Sequence, residues 1–423
     1  MSNMKNSNIE WVGEIPLSWN IHPLYFYFLE HKCKNTLGRE TNLLSLSYGK
    51  IVRKDINTSE GLLPASFNGY NIVGPNDIIL RLTDLQNDKK SLRTGLATEK
   101  GIITSAYVTI RPKRILSSRY FHYLLHTYDI EKVLYNMGNG VRQGLNYSEL
   151  SKILLIEPPV YEQEIIADFL DSKTSEIDTL SAEIQSQIEM LEQYARSIIA
   201  KAVTKGLNAD ADMKESNIKW IGKMPAHWTC IRGKYILRYL QKPIREDDGV
   251  ITCFRDGEVT LRSNRREDGF TMSDKEIGYQ GIDVGDLVVH GMDGFAGAIG
   301  ISDSRGKASP VLNVLDTKQN KRYIMYYLRS MAYSDVFLAL ATGIRVRSCD
   351  LRWNKLAELQ YPVPPIDEQE DIVKHIDAVI QKTDAVIADK KAQLETLDEY
   401  KKSLIYEYVT GKKEVPENVG YKN

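Results

Sequence analysis

The 423 residues of the chain suffice for two or three domains, each with its own hydrophobic core. The four cysteines lie far apart without a Cys-x-x-Cys pair, which argues against a disulfide framework and a structural zinc site and favours the reducing cytoplasm. The N-terminus has no signal-peptide pattern and no apolar stretch approaches the roughly 18 residues of a membrane span, so no membrane partner is expected. A formal net charge of −1 excludes a uniformly basic protein.

The chain begins with the pattern Trp-x-Gly-x-x-Pro-x-x-Trp over residues 11–19. Short β-rich runs follow, such as residues 78–82 and 102–110, with Gly, Asn, Asp and Pro between them. A helical run covers residues 119–135. These features predict a first mixed α/β domain over residues 1–156, with a twisted, mainly antiparallel sheet whose loops carry the basic residues.

A long amphipathic helix is predicted next, within residues 157–210. Between Glu162 and Val203 the chain has no Pro or Gly, and apolar residues recur at the alternating three- and four-residue spacing of a coiled coil. The residues that stand seven apart are Ile177, Ile184, Leu191 and Ile198. Two prolines precede this segment and Gly206 follows it, as expected for helix ends. At 1.5 Å per residue the helix would be roughly 60 Å long.

The second half of the chain repeats the first. The opening pattern returns at residues 220–228, and Pro-Pro-x-x-Glu-Gln-Glu at residues 158–164 returns at residues 364–370. Fainter matches keep the same order, namely 76–81 with 285–290, 119–123 with 322–326, and 140–142 with 343–345. The chain is therefore interpreted as a tandem duplication whose ends stayed alike while its middles diverged. The similar parts would share one role, and the divergent parts would act on different targets.

The repeat predicts a second α/β domain over residues 211–358. Its expected strands lie near residues 287–290 and 311–315, and its helix near 321–341. A second long helix is predicted within residues 359–415.

In that helix the residues seven apart are Val373, Ile380, Ile387 and Leu394. Asp367 with Glu370 resembles a capping box, Gly411 marks the end of the helix, and residues 416–423 form a tail.

A single long apolar stripe has to be buried, and the nearest candidate partner of each long helix is its copy. We therefore predict an antiparallel pair, with one domain at each end and an approximate two-fold axis between the halves. The alternative is that each helix packs only on its own domain. The predicted fold class is α+β: two mixed α/β domains joined by two long antiparallel coiled-coil helices in a pseudo-two-fold tandem repeat.

Charge is unevenly distributed along the chain. Residues 20–155 contain 18 Lys and Arg against 11 Asp and Glu, and residues 230–355 contain 20 against 16. Residues 156–215 and 356–423 are acidic, with 5 against 13 and 9 against 14. A polyanion would be attracted to the two domains and repelled by the helices, because contacts to phosphates dominate nucleic-acid affinity. Ordinary scatter of surface charge is the alternative explanation.

Double-stranded DNA is therefore the expected ligand of the two domains. Arg and Lys bind guanine O6 and N7, Gln and Asn pair with adenine, and Asp accepts from cytosine N4. The candidates in the first domain are Tyr48, Lys50, Arg53, Lys54, Arg81, Lys89, Lys90, Arg93, Arg142 and Gln143. The candidates in the second are Arg255, Asp256, Arg262, Arg265, Arg266, His290, Arg345 and Arg347.

The sequence does not separate base contacts from phosphate contacts, and a solvated surface charge is the alternative for each of these residues. Arg142 and Arg345 are favoured, because the repeat places both in a Gly-hydrophobic-Arg turn before a long helix.

No catalytic or metal site is predicted. The chain has no GxxxxGK[ST] phosphate loop, and its Pro-Pro segments lack the flanking Asn or Asp and aromatic residue of an amino methyltransferase site. The glycines of residues 294–300 indicate a tight turn in a sheet, since no βαβ unit surrounds them. His122 and His126 stand four apart without a nearby acidic ligand, which favours a packed aromatic helix over a metal site. Scattered carboxylates leave a nuclease site open, although none of them cluster.

With these features together, the chain resembles the specificity subunit of type I restriction-modification systems over essentially its whole length. The resemblance rests on the twin Trp-x-Gly-x-x-Pro-x-x-Trp openings, the twin Pro-Pro-x-x-Glu-Gln-Glu helix starts and the twin heptad helices. Turns at residues 101–107 and 306–310 are also similar to the family's target-recognition domains. The resemblance implies that each domain recognises one half of a split DNA sequence and that the helices set the spacing. It assigns no individual DNA contact, because no motif fixes the base contacts of the family.

The resemblance also implies partners and a role in host defence. Two modification subunits, which bind S-adenosylmethionine and methylate adenine, would dock on the chain. Two restriction subunits, which use ATP and Mg²⁺ to translocate and cut DNA, would complete the assembly. None of these cofactors is expected in this chain.

Two other function classes are distinguishable by experiment. A self-contained methyltransferase or nuclease with a degenerate motif would turn over without any partner. A purely structural coiled-coil adaptor would show binding that is indifferent to DNA sequence, even with a modification subunit present.

Overall fold

The computed structural model describes residues 3–57, 64, 66–85, 92–137, 144–265, 277–340 and 351–416. The chain divides into two compact units: the first contains Met1–Ile184 and Ala392–Asn423, and the second contains Gln185–Lys391. Among the described residues, no helix combines the length and the apolar composition needed to cross a membrane.

Two helices are far longer than the others. The α-helices of the described residues are α1 (Leu24–Tyr27), α2 (Ser118–Ile130), α3 (Tyr147–Leu150), α4 (Val160–Lys205), α5 (Gly233–Ile236), α6 (Lys321–Tyr333), α7 (Val336–Ala339), α8 (Trp353–Glu358) and α9 (Ile366–Val409). Short 3₁₀ turns lie at Val133–Asn136, Arg262–Asn264 and Gly294–Ala296. With 46 and 44 residues, α4 and α9 confirm the two long helices predicted from the heptad spacing.

The strands are short in both units. Those of the first unit are β1 (Met4–Asn6), β2 (Glu14–Pro16), β3 (Asn20–Pro23), β4 (Phe28–Glu30), β5 (Leu43–Ser47), β6 (Lys50–Lys54), β7 (Asn71–Val73), β8 (Ile78–Leu80), β9 (Thr94–Leu96), β10 (Gly101–Ile103), β11 (Val108–Pro112) and β12 (Leu154–Glu157). Those of the second unit are β13 (Met213–Glu215), β14 (Lys223–Pro225), β15 (Thr229–Arg232), β16 (Leu237–Leu240), β17 (Ile251–Cys253), β18 (Val259–Leu261), β19 (Gln280–Ile282), β20 (Leu287–His290), β21 (Ile299–Ile301), β22 (Gly306–Ala308), β23 (Leu312–Thr317) and β24 (Gln360–Val363).

The two units share their sheet topology. The order β4-β11-β8-β9 in the first unit matches β16-β23-β20-β21 in the second, and the pair β12-β3 matches β24-β15. These pairings are antiparallel, as predicted, whereas β10 and β5 run parallel through a single register pair, Ile102 with Leu43. The run 102–110 that the sequence suggested as one strand is two strands, because a turn closed by Tyr107 N–H and Thr104 O (3.3 Å) separates β10 from β11. The tandem repeat is thus a repeat of fold as well as of motif.

Both long helices end at the glycines predicted to terminate them. Gly206 and Gly411 adopt left-handed backbone angles, with φ of +74° and +71°, which terminates α4 and α9 as glycine does best. The capping box predicted at Asp367 and Glu370 is wrong, because α9 already begins at Ile366 and Asp367 lies within its first turn.

The long helices run antiparallel where they meet inside each unit. In the first unit the ring of Phe169 on α4 lies 4.5 Å from the ring of Tyr408 on α9. In the second unit Lys390 on α9 donates a hydrogen bond to Gln187 on α4. In the first unit Asp178 on α4 also accepts a hydrogen bond from Lys401 on α9, so rising numbers on one helix meet falling numbers on the other, as predicted. The alternative in which each helix packs only on its own domain is wrong, because α4 and α9 contact each other in both units.

The predicted apolar stripe is partly buried. Ile177, Ile184 and Val373 are buried. The other residues of the stripe are half-buried, namely Leu191, Ile198, Ile380, Ile387 and Leu394. Neighbouring positions complete the buried surface at the helix ends, because there the helices face the sheet domains as well as each other.

Candidate nucleic-acid interface

Each unit joins its sheet domain to the long helices through a tryptophan and a glutamate. The Trp19 indole N–H donates to Glu162 Oε1 at 3.0 Å in the first unit, and the Trp228 indole N–H donates to Glu368 Oε1 at 3.1 Å in the second. Both indoles are buried. The second tryptophan of each opening motif therefore holds the first turn of α4 or of α9.

A buried glutamine next to each glutamate adds a second link. The Gln163 amide accepts from the Ser117 backbone N–H (2.9 Å) and donates to Pro158 O (2.8 Å). Gln369 repeats this by accepting from the Asn320 N–H and donating to Pro364 O, both at 2.9 Å. Since the amide protons that precede α2 and α6 need acceptors, the glutamines fix these helices to the starts of α4 and α9.

A buried tyrosine ties each domain to the end of the other long helix. The Tyr120 hydroxyl donates to Val409 O on α9 at 2.9 Å, and the Tyr323 hydroxyl donates to Val203 O on α4 at 3.1 Å. Burial raises the pKa of both phenols well above the usual value, so they stay protonated as donors. The first junction (Trp19, Tyr120, Glu162, Gln163) thus uses the start of α4 and the end of α9, and the second junction (Trp228, Tyr323, Glu368, Gln369) uses the reverse.

Four of the predicted DNA-binding residues lie on one hairpin of the first unit, formed by β5 and β6. Tyr48 and Gly49 occupy its two-residue turn with φ of 45° and 78°, the pattern of a type I′ turn. The Tyr48 side chain is 87% exposed. Lys50, Arg53 and Lys54 are exposed on β6 itself, an edge strand, and not in a loop as the sequence suggested.

Two cations of this hairpin, Lys50 and Arg53, have acidic partners. The Lys50 ammonium lies 2.7 Å from Asp178 on α4, and Arg53 binds Glu99 with both oxygens of the carboxylate, at 2.7 and 2.9 Å from Nε. Burial alone would raise the pKa of Asp178, but hydrogen bonds from Lys401 and Lys50 lower it below its usual value. The hydrogen bond from Arg53 lowers the pKa of Glu99. Both carboxylates are therefore ionised near neutral pH and hold the cations in fixed positions.

Arg93 is a structural residue, which corrects its assignment as a DNA contact. Its side chain is fully buried. It donates from Nε to the Tyr135 hydroxyl (2.9 Å), from Nη1 to Thr83 O (2.7 Å) and from Nη2 to Asp84 O (3.1 Å). A guanidinium with no solvent-exposed surface cannot reach a phosphate. Arg81, which follows β8, is half-buried.

The second unit presents a different hairpin at the equivalent place, formed by β17 and β18. Its turn is closed by the Phe254 N–H and Glu258 O at 2.8 Å, with Gly257 at φ of 91°. Arg255 and Asp256 stand at its tip. Arg255 lies 2.9 Å from Asp293, and the tip therefore displays a guanidinium and a carboxylate where the first hairpin displays a ring.

Arg265 covers the second hairpin from the side. Its guanidinium contacts Asp256 at 2.5 Å and lies 4.3 Å from the centre of the Phe254 ring. Burial alone would raise the pKa of Asp256, but the hydrogen bond from Arg265 lowers it below its usual value. Arg262 lies at the start of the 3₁₀ turn after β18, with Nε 3.4 Å from the Thr252 hydroxyl.

His290 supports this surface from beneath, and its assignment as a direct DNA contact stays a prediction. Its side chain is mostly buried, and Nδ1 accepts the backbone N–H groups of Met292 (3.2 Å) and Asp293 (2.9 Å). Burial lowers the pKa of the ring, which agrees with a neutral acceptor. His290 therefore positions Asp293, which in turn holds Arg255.

The same position of the domain helix supports both hairpins. Counting along the repeat, His126 on α2 corresponds to Arg329 on α6. A Cβ placed on Gly49 would lie 3.6 Å from His126 Cε1, and one placed on Gly257 would lie 2.4 Å from Arg329 Nη1. Arg329 also donates to Asp256 O at 2.6 Å. Each turn glycine thus allows the tip to sit directly on its supporting side chain.

Several predicted residues lie outside the described part of the chain: Lys89, Lys90, Arg142, Gln143, Arg266, Arg345 and Arg347. Their assignment stays a prediction.

The two histidines of α2 belong to a packed helix, as interpreted from the sequence. Their rings lie 6.2 Å apart, and burial lowers the pKa of His122 to about 4 and that of His126 to about 3. Residues 294–298 form a tight turn that leads from β20 into β21, as predicted, and residues 299 and 300 are the first two of β21. Within the described ranges, no three His, Cys, Asp or Glu side chains are grouped so that they could hold a metal ion.

Comparison with known proteins finds relatives of one kind. The model of the type I restriction modification DNA specificity domain matches residues 90–190. The chain is 24% identical over 359 residues to the type I restriction enzyme MjaVIII specificity subunit of Methanocaldococcus jannaschii, with 81% of this chain and 80% of that protein covered. It is 19% identical over 293 residues to the type I restriction enzyme StySPI specificity subunit of Salmonella potsdam, covering 66% and 61% of the two chains.

The fold agrees with these relatives. A chain from a solved structure of a type I restriction-modification system, determined for its complex assembly and conformational transition, superposes with a TM-score of 0.64 at 14% identity. The superposition covers 94% of this chain and 99% of that one. In sequence and in fold, the chain is similar to type I specificity subunits. The resemblance inferred from the twin motifs is confirmed, and the names of these relatives agree with a recognition subunit that has no catalytic role of its own.

The signal for the junction residues was present in the sequence. The repeat preserves Glu-Gln in Pro-Pro-x-x-Glu-Gln-Glu while the two residues before it change, and it preserves the second Trp of each opening motif. Sequence reasoning treated these motifs as punctuation and family markers, and missed that they bond to one another.

Proposed function

We propose that this specificity subunit recognises a split DNA sequence, with one half-site for each target-recognition domain, and that α4 and α9 set the distance between the halves. The observation that carries the proposal is the combination of matching junctions with unlike hairpins. The same Trp, Tyr, Glu and Gln side chains attach both domains to the helices, whereas the exposed tips differ in chemistry. Because both domains are attached in the same way, they can bind two different DNA sequences in the same docking geometry.

The tips supply the chemistry of recognition. In the second domain Arg255 can donate to guanine, and Asp256 can accept from the amino group of cytosine. In the first domain Lys50, Arg53 and Lys54 on the hairpin strand suit the phosphate backbone, which fixes the register of a protein on DNA. The acidic partners of Lys50, Arg53 and Arg255 hold these cations in position before DNA binds.

The partners follow from the proposed role. Two modification subunits would bind S-adenosylmethionine, and two restriction subunits would use ATP and Mg²⁺, so that this chain supplies only sequence recognition and spacing. Such an assembly would work in the cytoplasm, where host and foreign DNA meet. The full assembly, its stoichiometry and the location of its cofactors are part of the proposal.

Insertion of one heptad into both long helices tests the spacing role. The insertions would be placed after Ile184 and after Lys391, where the chain passes between its two compact units. Seven residues extend a helix by about 10 Å and turn it by nearly two full turns, which equals roughly three base pairs of DNA. Methylome sequencing of cells that carry the variant and its modification subunit should show a gap about three base pairs longer between unchanged half-sites.

Domain exchange provides the complementary control. Replacement of residues 20–155 by those of another specificity subunit should change one half-site and leave the gap as it was. A heptad variant that methylates altered bases, or a domain exchange that alters both half-sites, contradicts the proposal. Methylation by the isolated chain would identify it as an enzyme instead.

A further inference from the structure

Tyr48 stands at an unusual place for an aromatic residue. The first turn position of its hairpin has φ of 45°, where asparagine, aspartate or glycine is favoured and a bulky residue strains the backbone. The ring also gains no protection there, since 87% of the side chain is exposed. Strained backbone is typical of positions where a side chain acts on a ligand.

The hairpin around Tyr48 is held firmly from below and from the side. A Cβ placed on Gly49 would lie 3.2 Å from Leu92, so the turn backbone packs directly on the domain. Behind the turn, Leu46 and Ile51 pack closely on Gly95, since a Cβ placed there would lie 2.6 and 2.8 Å from their Cδ1 atoms. The Lys50 ammonium is fixed to Asp178 at 2.7 Å. The backbone that carries the ring is therefore held in place before DNA binds.

The surroundings of the ring favour a nucleic acid. Lys50, Arg53 and Lys54 follow it directly on β6 and are exposed on the same hairpin. An exposed aromatic ring beside cations suits a base, whose flat face stacks on the ring while the phosphates contact the cations. Apolar and aromatic side chains that enter DNA in this way unstack one base step.

We propose that the Tyr48 ring inserts at one base step of the half-site recognised by the first domain and stacks on the base exposed there. This inference rests on the proposed function. It assigns the two domains different modes of recognition, because the second hairpin carries Arg255 and Asp256 at its tip and its Phe254 ring is covered by Arg265 at 4.3 Å. Insertion is confined to the first half-site.

Replacement of Tyr48 by asparagine separates the role of the ring from the role of the turn. Asn-Gly is the preferred sequence of a type I′ turn, so Tyr48→Asn should raise the melting temperature of the chain or leave it unchanged. The same variant should weaken binding of the full chain, assembled with its modification subunits, to a duplex of the mapped split sequence by about tenfold. Tyr48→Phe keeps the ring and should bind within about twofold of the wild type, since stacking needs no hydroxyl.

A second measurement locates the insertion. The base 2-aminopurine, substituted at each purine of the first half-site in turn, should change its fluorescence on binding at one step with wild-type chain and Tyr48→Phe, and not with Tyr48→Asn. If Tyr48→Asn binds and methylates like the wild type, or the fluorescence change persists in it, the stacking role is wrong while the proposed function stands. If the wild-type complex shows no preference for the mapped duplex over an unrelated one, the proposed function itself fails.

Discussion

The two units of the chain are alike where the domains meet the long helices and unlike where they face outwards. At the junctions, Trp19 and Trp228 donate to equivalent glutamates over 3.0 and 3.1 Å. At the hairpins, the exposed Tyr48 ring of the first unit is replaced by the Arg255 and Asp256 pair of the second. The junctions are constrained because they satisfy buried backbone groups at helix ends, which are the same in both halves. The hairpin tips do not have to satisfy such buried groups, so their side chains can differ between the two units.

The comparison also shows that a tip and its support change together. The neutral, buried His126 lies under the Tyr48-Gly49 turn, whereas Arg329 at the equivalent position donates to Asp256 O under the second turn. The supports under the two turns thus differ in charge and in hydrogen bonding, as the tips above them do. The divergent region of each domain is therefore a coupled set of residues, and exchange of a hairpin tip alone should work poorly without its supporting residue.

Removal of the junction tryptophans should have the largest effect on stability. Trp19→Ala and Trp228→Ala each remove a fully buried indole and leave a glutamate without its donor, so each should lower the free energy of unfolding by about 3–5 kcal/mol. Denaturant unfolding measures the loss, and hydrogen exchange localised to α2 or α6 should assign it to one unit.

Leu17→Ala is the matched control for the first unit, because the residue is exposed and the repeat has Ala226 in its place. It should change stability by less than about 0.5 kcal/mol. If one tryptophan variant were as mild as this control, the two junctions would not be equivalent.

Acid should destabilise the first unit through its histidine pair. Burial lowers the pKa of His122 to about 4 and that of His126 to about 3, below the usual 6.5. Between these values the folded chain therefore binds fewer protons than the unfolded chain. The contribution of the two neutral histidines to the free energy of unfolding is therefore fully present above pH 6.5. It is lost as the pH drops from 6.5 towards 4. The loss is about 1.4 kcal/mol for each ring and each pH unit. Asp171 near His122 opposes the shift, whereas Lys401 and Lys402 near His126 reinforce it.

His122→Met introduces the residue that the repeat places at the equivalent position, Met325. When the pH is lowered from 7.5 to 5, the free energy of unfolding of this variant should fall by about 2 kcal/mol less than that of the wild type. Unfolding curves over pH 4.5–7.5 measure the difference, with exchange in α6 as the internal reference. A wild-type α2 that is no more acid-sensitive than α6 would contradict the assignment of burial as the cause.

The architecture could be predicted from the sequence because its signals are periodic and repeated. Heptad spacing, the Pro-Pro starts and the Gly206 and Gly411 ends located two helices to within a few residues, as residues 162–203 predicted for α4 show against Val160–Lys205. The repeat itself gave the number of domains and the antiparallel pairing. These features rest on spacing along the chain, which a single sequence displays fully.

The roles of individual polar residues could be predicted far less well, because they depend on neighbours distant in sequence. Arg93 was grouped with the surface cations, although its acceptors Thr83 O and Asp84 O enclose it in the core. His290 carried no sign that backbone amides would occupy its Nδ1. The charge pattern predicted that the two domains carry the basic residues, but not which of these cations are held by carboxylates.

The smallest expected effect concerns those carboxylates and returns to the difference between the hairpins. Asp293→Asn keeps the backbone contact with His290 and removes the charge that lies 2.9 Å from Arg255, and Glu99→Gln does the same for Arg53 in the first unit. Each freed guanidinium should raise affinity for an unrelated duplex by about two- to fivefold and steepen the salt dependence by about one released ion. Stability should change little, since exposed ion pairs contribute at most about 1 kcal/mol.

Titration of DNA at several salt concentrations, with the full chain and its modification subunits, measures both quantities. Because each variant acts on one domain, Asp293→Asn should relax discrimination only in the half-site of the second domain, and Glu99→Gln only in that of the first. Equal relaxation in both half-sites would mean that the carboxylates act through net charge and not through the arginines they hold. Selective relaxation would mean that each hairpin limits its own attraction to phosphates, so that sequence-dependent contacts at its tip decide where the subunit stays bound.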